Sequence, residues 1–496
     1  MAKIEHVFVL MMENRSFDHL LGLSGLFGLP PPPSHFGFKP GAPDQINKDP
    51  PHEFDQVAAQ ISGGTMTGFA TPPGGGPDSM MGFSAGDKNI TNLTRLANDG
   101  LLIDNWFSSM PGPTWPNRLF AHAASSGGLD DSMGLGNMWD ATHKSDHALK
   151  FDNGHIFSRL VTIGKTWRVY TADSIPQVLS LEGMVPKRKD RRFFRDLKDL
   201  DYDVAHKDVA NYTFIEPFYD NFGFDGSRRA TSQHPQGSIK KGDDLIGSVY
   251  NSIFKQKVGD KGDKSVLVVT WDEHGGFFDH VKPPPAVPPG DSPPNQHLGK
   301  TPHNFKFDKF GVRVPALLIS PWLPVGRGSD TKFFGPNAYF DHSSIVRGVR
   351  STFGISHHLT KRDQASPDWN ALLLSSPRKL TASLPKIAAL KPYKPRSPKE
   401  RSIAPVGPPS GNLVGTAYIA VDIDWDVAEQ TGVKPLVVSE FSDRLQSSQR
   451  VLNAHAMGGE KVNAADLIDA HRVLLDYISS VELRDFKLAT KQRHKR

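Results

Sequence analysis

Three short stretches hold the side chains best suited to chemistry. They are Met12-Glu13-Asn14-Arg15-Ser16-Phe17-Asp18-His19, Gly112-Pro113-Thr114-Trp115-Pro116-Asn117-Arg118, and Trp271-Asp272-Glu273-His274-Gly275-Gly276-Phe277-Phe278-Asp279-His280. Each follows an apolar run, where a strand should give way to a loop, and open α/β sheets bind ligands at the carboxyl ends of their strands. Glu13 and Asn14 are neighbours, so they would point to opposite faces of a strand. Both reach one site only where the strand ends and the backbone turns. Asp272-Glu273 repeats the arrangement, followed by glycines that allow close approach. Three carboxylates and a carboxamide around one point make a hard, oxygen-rich site for a single divalent cation: Ca²⁺, Mg²⁺ or Mn²⁺, or Zn²⁺ with help from imidazole. Either pair alone reads equally well as a helix cap or a surface turn; the two together favour a site.

Thr114 is the candidate nucleophile. It stands at the start of a predicted helix, where free backbone N–H groups and the helix dipole favour anions. A bound cation would lower the pKa of its hydroxyl and align it with a phosphorus atom. The plain alternative is a threonine that only caps the helix. Asn117 and Arg118 could bind phosphate oxygens, and Arg118 could equally pair with one of the carboxylates. His52, His234, His274, His280 and His342 stand in loops. A phosphate diester needs a proton donor for its leaving alkoxide, which imidazole supplies near neutral pH. Two or three of the 20 histidines are expected to act, the rest being solvated.

These groups need a scaffold. Val7 to Met12 and Ser265 to Trp271 read as buried strands, as do the shorter runs Thr166 to Tyr170 and Tyr212 to Ile215. Ile103 to Phe107 is a further strand, and Val312 to Ile319, interrupted by Pro315, is placed near an edge or bend. Helical spacing runs through Leu93 to Leu102, Leu119 to Ala124 and Asp243 to Lys255, with Pro116 suited to a first helical turn. Alternation of strands and helices argues for an α/β fold with a mostly parallel sheet covered on both faces. Residues 23–88, rich in Pro, Gly and Phe, read as a long folded excursion.

The 496 residues suit one large α/β domain with additions. Residues 1–375 would be the catalytic domain, 376–410 a Pro/Lys/Ser-rich linker or arm, and 411–496 a partly helical C-terminal extension. Ala464 to Ile478 carries helical spacing within that extension, and Lys487 to Arg496 reads as a basic, solvated tail. Hydrophobic residues make up 38% and charged residues 22%, as in a soluble protein, and no run of about 18 apolar residues suggests a membrane span. With no cysteine, disulfides and thiolate ligands are excluded, so any metal must use oxygen or imidazole. A formal charge of +5 fits a phosphate substrate or transient contact with an anionic membrane surface. Lys187 to Arg192 is the one basic cluster noted, and nucleic acid is not expected as a partner.

The motifs as a set resemble the bacterial and fungal phosphoesterase family, which contains the non-specific phospholipases C and related acid phosphatases. Glu-Asn-Arg-Ser-Phe-Asp-His, Pro-Thr-x-Pro-Asn-Arg and Asp-Glu-His-Gly-Gly-Phe-Phe-Asp-His-Val-x-Pro-Pro carry the likeness. Phe310 to Pro315, Ile319 to Trp322, and Phe340 to Ile345 with Arg347 agree in order, so the likeness covers about residues 4–355. It implies an alkaline-phosphatase-like α/β/α sandwich and a phosphorylated hydroxyl intermediate. It implies Glu13, Asn14, Asp272 and Glu273 as metal ligands, with Thr114 as nucleophile and further ligand. Asn117, His52 and His234 would contact the phosphoryl group, His234 or His52 being the leaving-group acid. Arg118, His274 and His280 would help to bind substrate, while Asp279, His280, Asp341 and His342 would act as supports. Family members are often exported; Met1 to His6 leads straight into an apolar run without a signal-peptide pattern, so a cytoplasmic location is expected.

The expected activity is a metal-dependent phospholipase C that cleaves the glycerol–phosphate ester of phosphatidylcholine-like lipids through phosphothreonine. The alternatives are a phosphomonoesterase on the same site and a non-catalytic phosphate- or lipid-binding protein. The segment Leu23 to Phe38 could meet lipid or fold back as a lid.

Overall fold

Every residue of His6–Met12 and of Ser265–Trp271 is buried. Strands this apolar need cover on both faces, which a parallel sheet between two helical layers provides. The structure, a computed structural model, describes residues 3–134, 148–219, 230–255, 262–300, 303–330, 334, 338–385, 411–456 and 462–493. The strands in chain order are β1 His6–Met12, β2 Lys39–Pro40, β3 Met81–Gly82, β4 Leu101–Leu102, β5 Trp167–Thr171, β6 Phe194–Asp196, β7 Tyr212–Glu216, β8 Ser265–Trp271, β9 Ala316–Ile319 and β10 Gly326–Arg327. Eight of them form one sheet in the order β10-β4-β9-β8-β1-β7-β5-β6, and β2 pairs with β3 apart from it. The run β8-β1-β7-β5-β6 is parallel throughout, and β9 is antiparallel to both of its neighbours.

The helices sort into two packing groups. Thr91–Asn98 and Leu200–Ala205 pack on Ile239–Phe254, while Thr114–Ala123 packs on Ile156–Thr162, Ser343–Phe353 and Gly411–Thr431. The result is the expected α/β/α arrangement with a large, mostly parallel sheet. Three local expectations change. Ile103 to Phe107 forms no continuous ladder; the strand is Leu101–Leu102, and Trp106 and Phe107 make only isolated bridges. Val312 to Ile319 is expected near an edge or bend; β9 starts after Pro315 and lies inside the sheet between β4 and β8, not at its edge. The proline stays outside the ladder, so it removes no donor from it. Helical spacing predicted for Leu93 to Leu102 ends at Asn98 in the structure.

The excursion of residues 23–88 folds into short turns and the helix Phe54–Ile61. Its own apolar cluster joins Val57, Ile61, Met66 and Phe69 to Phe278 and Val312. In the expected linker, Arg378, Thr381 and Ala382 are pinned to Asp99, and residues 386–410 lie outside the described set. Beyond it, the described residues hold the α-helices Gly411–Thr431, Ser442–Ala456 and Ala464–Arg493. The last runs well past Ile478 and absorbs most of the predicted basic tail. Leu413, Ala417, Tyr418, Leu474 and Ile478 are buried in the same apolar core as β1 and β8. No helix among the described residues is long and apolar enough to cross a membrane.

Candidate active site

The register of the two central strands builds the site. Met12 pairs with Trp271, so Glu13-Asn14 and Asp272-Glu273 emerge side by side at the carboxyl edge. Asn14 takes φ of +56°, the turn that lets two successive side chains reach one place. Gly275 and Gly276 also have positive φ, +64° and +73°. A Cβ on Gly275 would stand 2.3 Å from the Asn14 carbonyl oxygen, and one on Gly276 would stand 2.5 Å from that of Pro51. Only glycine lets these three loops close together.

Thr114 is the first residue of the helix Thr114–Ala123, with Pro113 in the capping position, so its hydroxyl is not spent as the N-cap. It is 3% exposed. Arg118, one turn along, donates from Nε to Asp272 Oδ2 at 3.0 Å, and its Nη2 lies 4.0 Å from Glu13 Oε1. Residues four apart share a helix face, so Thr114 and Arg118 project from the same side of this helix. Arg118 also donates to the hydroxyl of Tyr219 at 2.8 Å. Asn117 departs from its expected phosphoryl contact. Its carboxamide accepts from Met110 N and donates to the carbonyls of Gly112 and Pro113, so it shapes the loop ahead of Thr114.

His52 and His234 do meet, with ring centroids 6.4 Å apart. Asp49 stands between them, 3.9 Å from His52 Nδ1 and 3.5 Å from His234 Nε2. The two imidazoles have opposite tendencies. Burial opposes a charge on His52, but Glu273, Asp49 and Glu53 outweigh it and hold its pKa up at about 10. Burial lowers the pKa of His234, and His52 and Arg15 reinforce the shift. His52 Nδ1 faces the Pro50 carbonyl at 2.7 Å and Nε2 lies 3.3 Å from Asn14 Nδ2. Sequence reading passed over Asp49, although it belongs to the same Asp-Pro-Pro-His run.

The other histidines are more remote from reaction chemistry. His274 is fully buried, bonded to Gln60 Oε1 at 2.7 Å, and pushed down to about 3 by burial and by His52. It braces the loop, with Nδ1 lying 3.4 Å from Glu273 Oε2. His280 Nδ1 donates to Asp18 Oδ2 at 2.7 Å, and Arg313 ties Asp18 to Asp279. His342 Nε2 donates to the carbonyl of Asp272 at 2.6 Å while Nδ1 accepts from Trp106, so it holds the strand end from behind. Asp341 accepts from Arg362 and Ser343.

Two sets of residues could hold a cation. Asp18, Asp279 and His280 place ligand atoms within 4.8 Å of one another, the one such group of histidines and acids among the described residues. Arg313 already supplies the positive charge there, at 2.9 Å from Asp18 and 3.1 Å from Asp279. At the strand ends the donor set fits better. Among the described residues, Asn14 Oδ1 and Glu273 Oε1 are buried oxygens with no hydrogen-bond partner. Such atoms are costly unless something occupies them. Burial pushes Glu13 up to about 8, with Asp272 adding to it against Arg118; burial likewise pushes Glu273 up to about 7. Asp272 is the most committed of the set, because Oδ1 accepts from the backbone N–H groups of Asn14 and Glu273 and Oδ2 from Arg118.

A mostly parallel sheet between helical layers, with buried acids and a helix-borne hydroxyl at its carboxyl edge, suits a hydrolase of phosphoric esters. Residues 4–356 match the phosphoesterase family, and the chain belongs to it. It is 30% identical to non-specific phospholipase C6 of Arabidopsis thaliana, over 80% of this chain and 77% of that protein. It is 27% identical to phospholipase C B of Mycobacterium tuberculosis, over 72% and 74%. With a solved protein of the alkaline phosphatase superfamily from Vibrio parahaemolyticus it shares 12% identity and a TM-score of 0.33, over 74% of this chain and 71% of that one. A score that low leaves the strand order to define the fold. The chain is a phosphoric ester hydrolase, with relatives named as phospholipases C.

Proposed function

We propose that the protein is a metal-dependent phospholipase C that cleaves the glycerol–phosphate bond of phosphatidylcholine-like lipids. The observation that supports this is the Met12–Trp271 register, which brings Glu13-Asn14 and Asp272-Glu273, with two unpartnered oxygens among them, to one edge of the sheet, where Arg118 of the Thr114 helix bonds Asp272. Glu13, Asn14, Asp272 and Glu273 would hold one divalent cation, with Thr114 adjoining it. When bound, that cation would acidify the Thr114 hydroxyl and offset charge on the phosphoryl oxygens.

The chain's own groups account for the remaining steps. Thr114 Oγ loses its proton to solvent and forms a bond to phosphorus as the glycerol oxygen leaves. His52, held protonated by Asp49, Glu53 and Glu273, gives its proton to the leaving alkoxide. Water then cleaves the phosphothreonine and releases the phosphorylated headgroup. Arg118 stabilises Asp272 and keeps that edge of the site in register. Phe36 and Phe38 pack on Phe278 as a lid, leaving Phe27, 38% exposed, to meet a lipid surface.

The reading is tested by parallel hydrolysis of p-nitrophenyl phosphorylcholine and p-nitrophenyl phosphate, with and without chelation. Chelator-sensitive preference for the choline diester is expected. Preference for the monoester would make the protein a phosphatase with the same residues in the same roles. Activity on neither with metal supplied would leave a binding protein. Thr114→Ala should lower turnover by a factor on the order of 10³ or more while the protein keeps its thermal transition. Substantial residual turnover would remove Thr114 as nucleophile.

A further inference from the structure

Glu13 takes a donor from the far end of the chain. Asn412, in the first turn of the helix Gly411–Thr431, donates from Nδ2 to Glu13 Oε1 at 3.1 Å. The two residues are 399 positions apart. Glu13 is 1% exposed, and its other close polar neighbours are Ser232 and the Arg118 guanidinium, the latter 4.0 Å away.

The helix that carries Asn412 is closely fitted to the nucleophile helix. A Cβ on Gly415 would stand 2.1 to 2.4 Å from three atoms of the Trp115 ring, so only glycine lets the two helices come this near. Trp115 is the residue after Thr114 and is 1% exposed. Leu413 and Ala417 are buried on either side, and Tyr418 donates its hydroxyl to the carbonyl of Gly134 at 2.5 Å. The contact to Glu13 is therefore anchored by packing on both sides of the glycine.

We infer that Asn412 is a positioning residue for Glu13, so that the C-terminal segment completes the cation site. This rests on the metal reading proposed above. Glu13 could rotate about three side-chain bonds, and the Asn412 hydrogen bond fixes where its carboxylate points. Hydrogen-bond partners of ligand carboxylates typically raise metal affinity on the order of tenfold to a hundredfold.

The test is titration of the metal-stripped full chain with Mn²⁺, Ca²⁺ and Zn²⁺ by calorimetry, for the wild type, Asn412→Ala and Asn412→Gln, with a thermal transition for each. Asn412→Ala is expected to weaken binding at least about tenfold, with its transition within a few degrees of the wild type, and Asn412→Gln to restore part of the loss. Equal affinity in the wild type and Asn412→Ala would overturn the inference. Equal weakening in both variants with a much lower transition would also overturn it, assigning the effect to loosened helix docking. If the wild type itself binds none of the three ions, the metal reading falls first, a result distinct from either of these.

Discussion

Asn14 Oδ1 and Glu273 Oε1 show why individual residues in this site are set for function rather than stability. A buried acceptor without a donor costs on the order of 1–3 kcal/mol, so removing one should not weaken the metal-free fold. Glu273→Gln is accordingly expected to cut cation affinity on the order of tenfold or more while the apo protein's thermal transition holds or rises. Metal titration beside a melt would check it; unchanged affinity would take Glu273 out of the ligand set. At this scale the sequence was informative about residue type. Glu13-Asn14 and Asp272-Glu273 do emerge at the ends of two paired strands, because each pair follows a run that must be buried. It was less informative about side-chain direction. Nothing in Asn117 or His274 announces that the Asn117 carboxamide is taken up by Met110 and Gly112, or that His274 Nε2 is taken up by Gln60.

The nucleophile helix carries a pH dependence of its own. His122, in its last turn, is 4% exposed and packs edge-on against Phe214 with centroids 4.6 Å apart. Burial, with His155 and Arg118 adding to it, pushes its pKa down to about 3. Burial also lowers His155, to about 4. With folded values below the unfolded value near 6.5, stability is fully present above pH 6.5 and is lost as pH falls toward 3 to 4. Each histidine removes about 1.4 kcal/mol per pH unit within its window. Denaturant unfolding at pH 7.5 and pH 5 should show the loss, and His122→Phe, which keeps a ring against Phe157 and Phe214, should reduce it by about 2 kcal/mol. An unchanged difference would mean that His122 is protonated in the folded state. The spacing around Leu119 to Ala124 made this helix legible, while the surroundings of His122 come from β7, about ninety residues away in sequence.

On the scale of the whole molecule, the C-terminal helices are joined to the body by charge as well as by core packing. Arg188 donates to Asp426 at 2.5 Å and to Asp485 at 2.5 and 3.3 Å, linking two of those helices to a turn that follows β5. Its side chain is 5% exposed, so its loss leaves two half-buried carboxylates short of a partner. Arg188→Ala is expected to cost about 1–3 kcal/mol and to speed tryptic cleavage within residues 411–493 more than within the rest of the chain. Uniform cleavage of both parts would show that the charge cluster is dispensable for docking. Sequence alone marked Arg188 only as a member of a basic cluster, since its acidic partners are more than two hundred residues away.

The sequence by itself determined the class of fold and the list of reactive residue types. Both are local properties, carried by apolar runs that must be buried and by polar groups placed at their ends. Tertiary structure alone decided which of these groups meet. Pairing of Met12 with Trp271, insertion of Asp49 between His52 and His234, and the reach of Asn412 to Glu13 all depend on contacts between distant segments. Register and helix docking follow from burial and close packing summed over the whole core, and no short window of residues contains that sum.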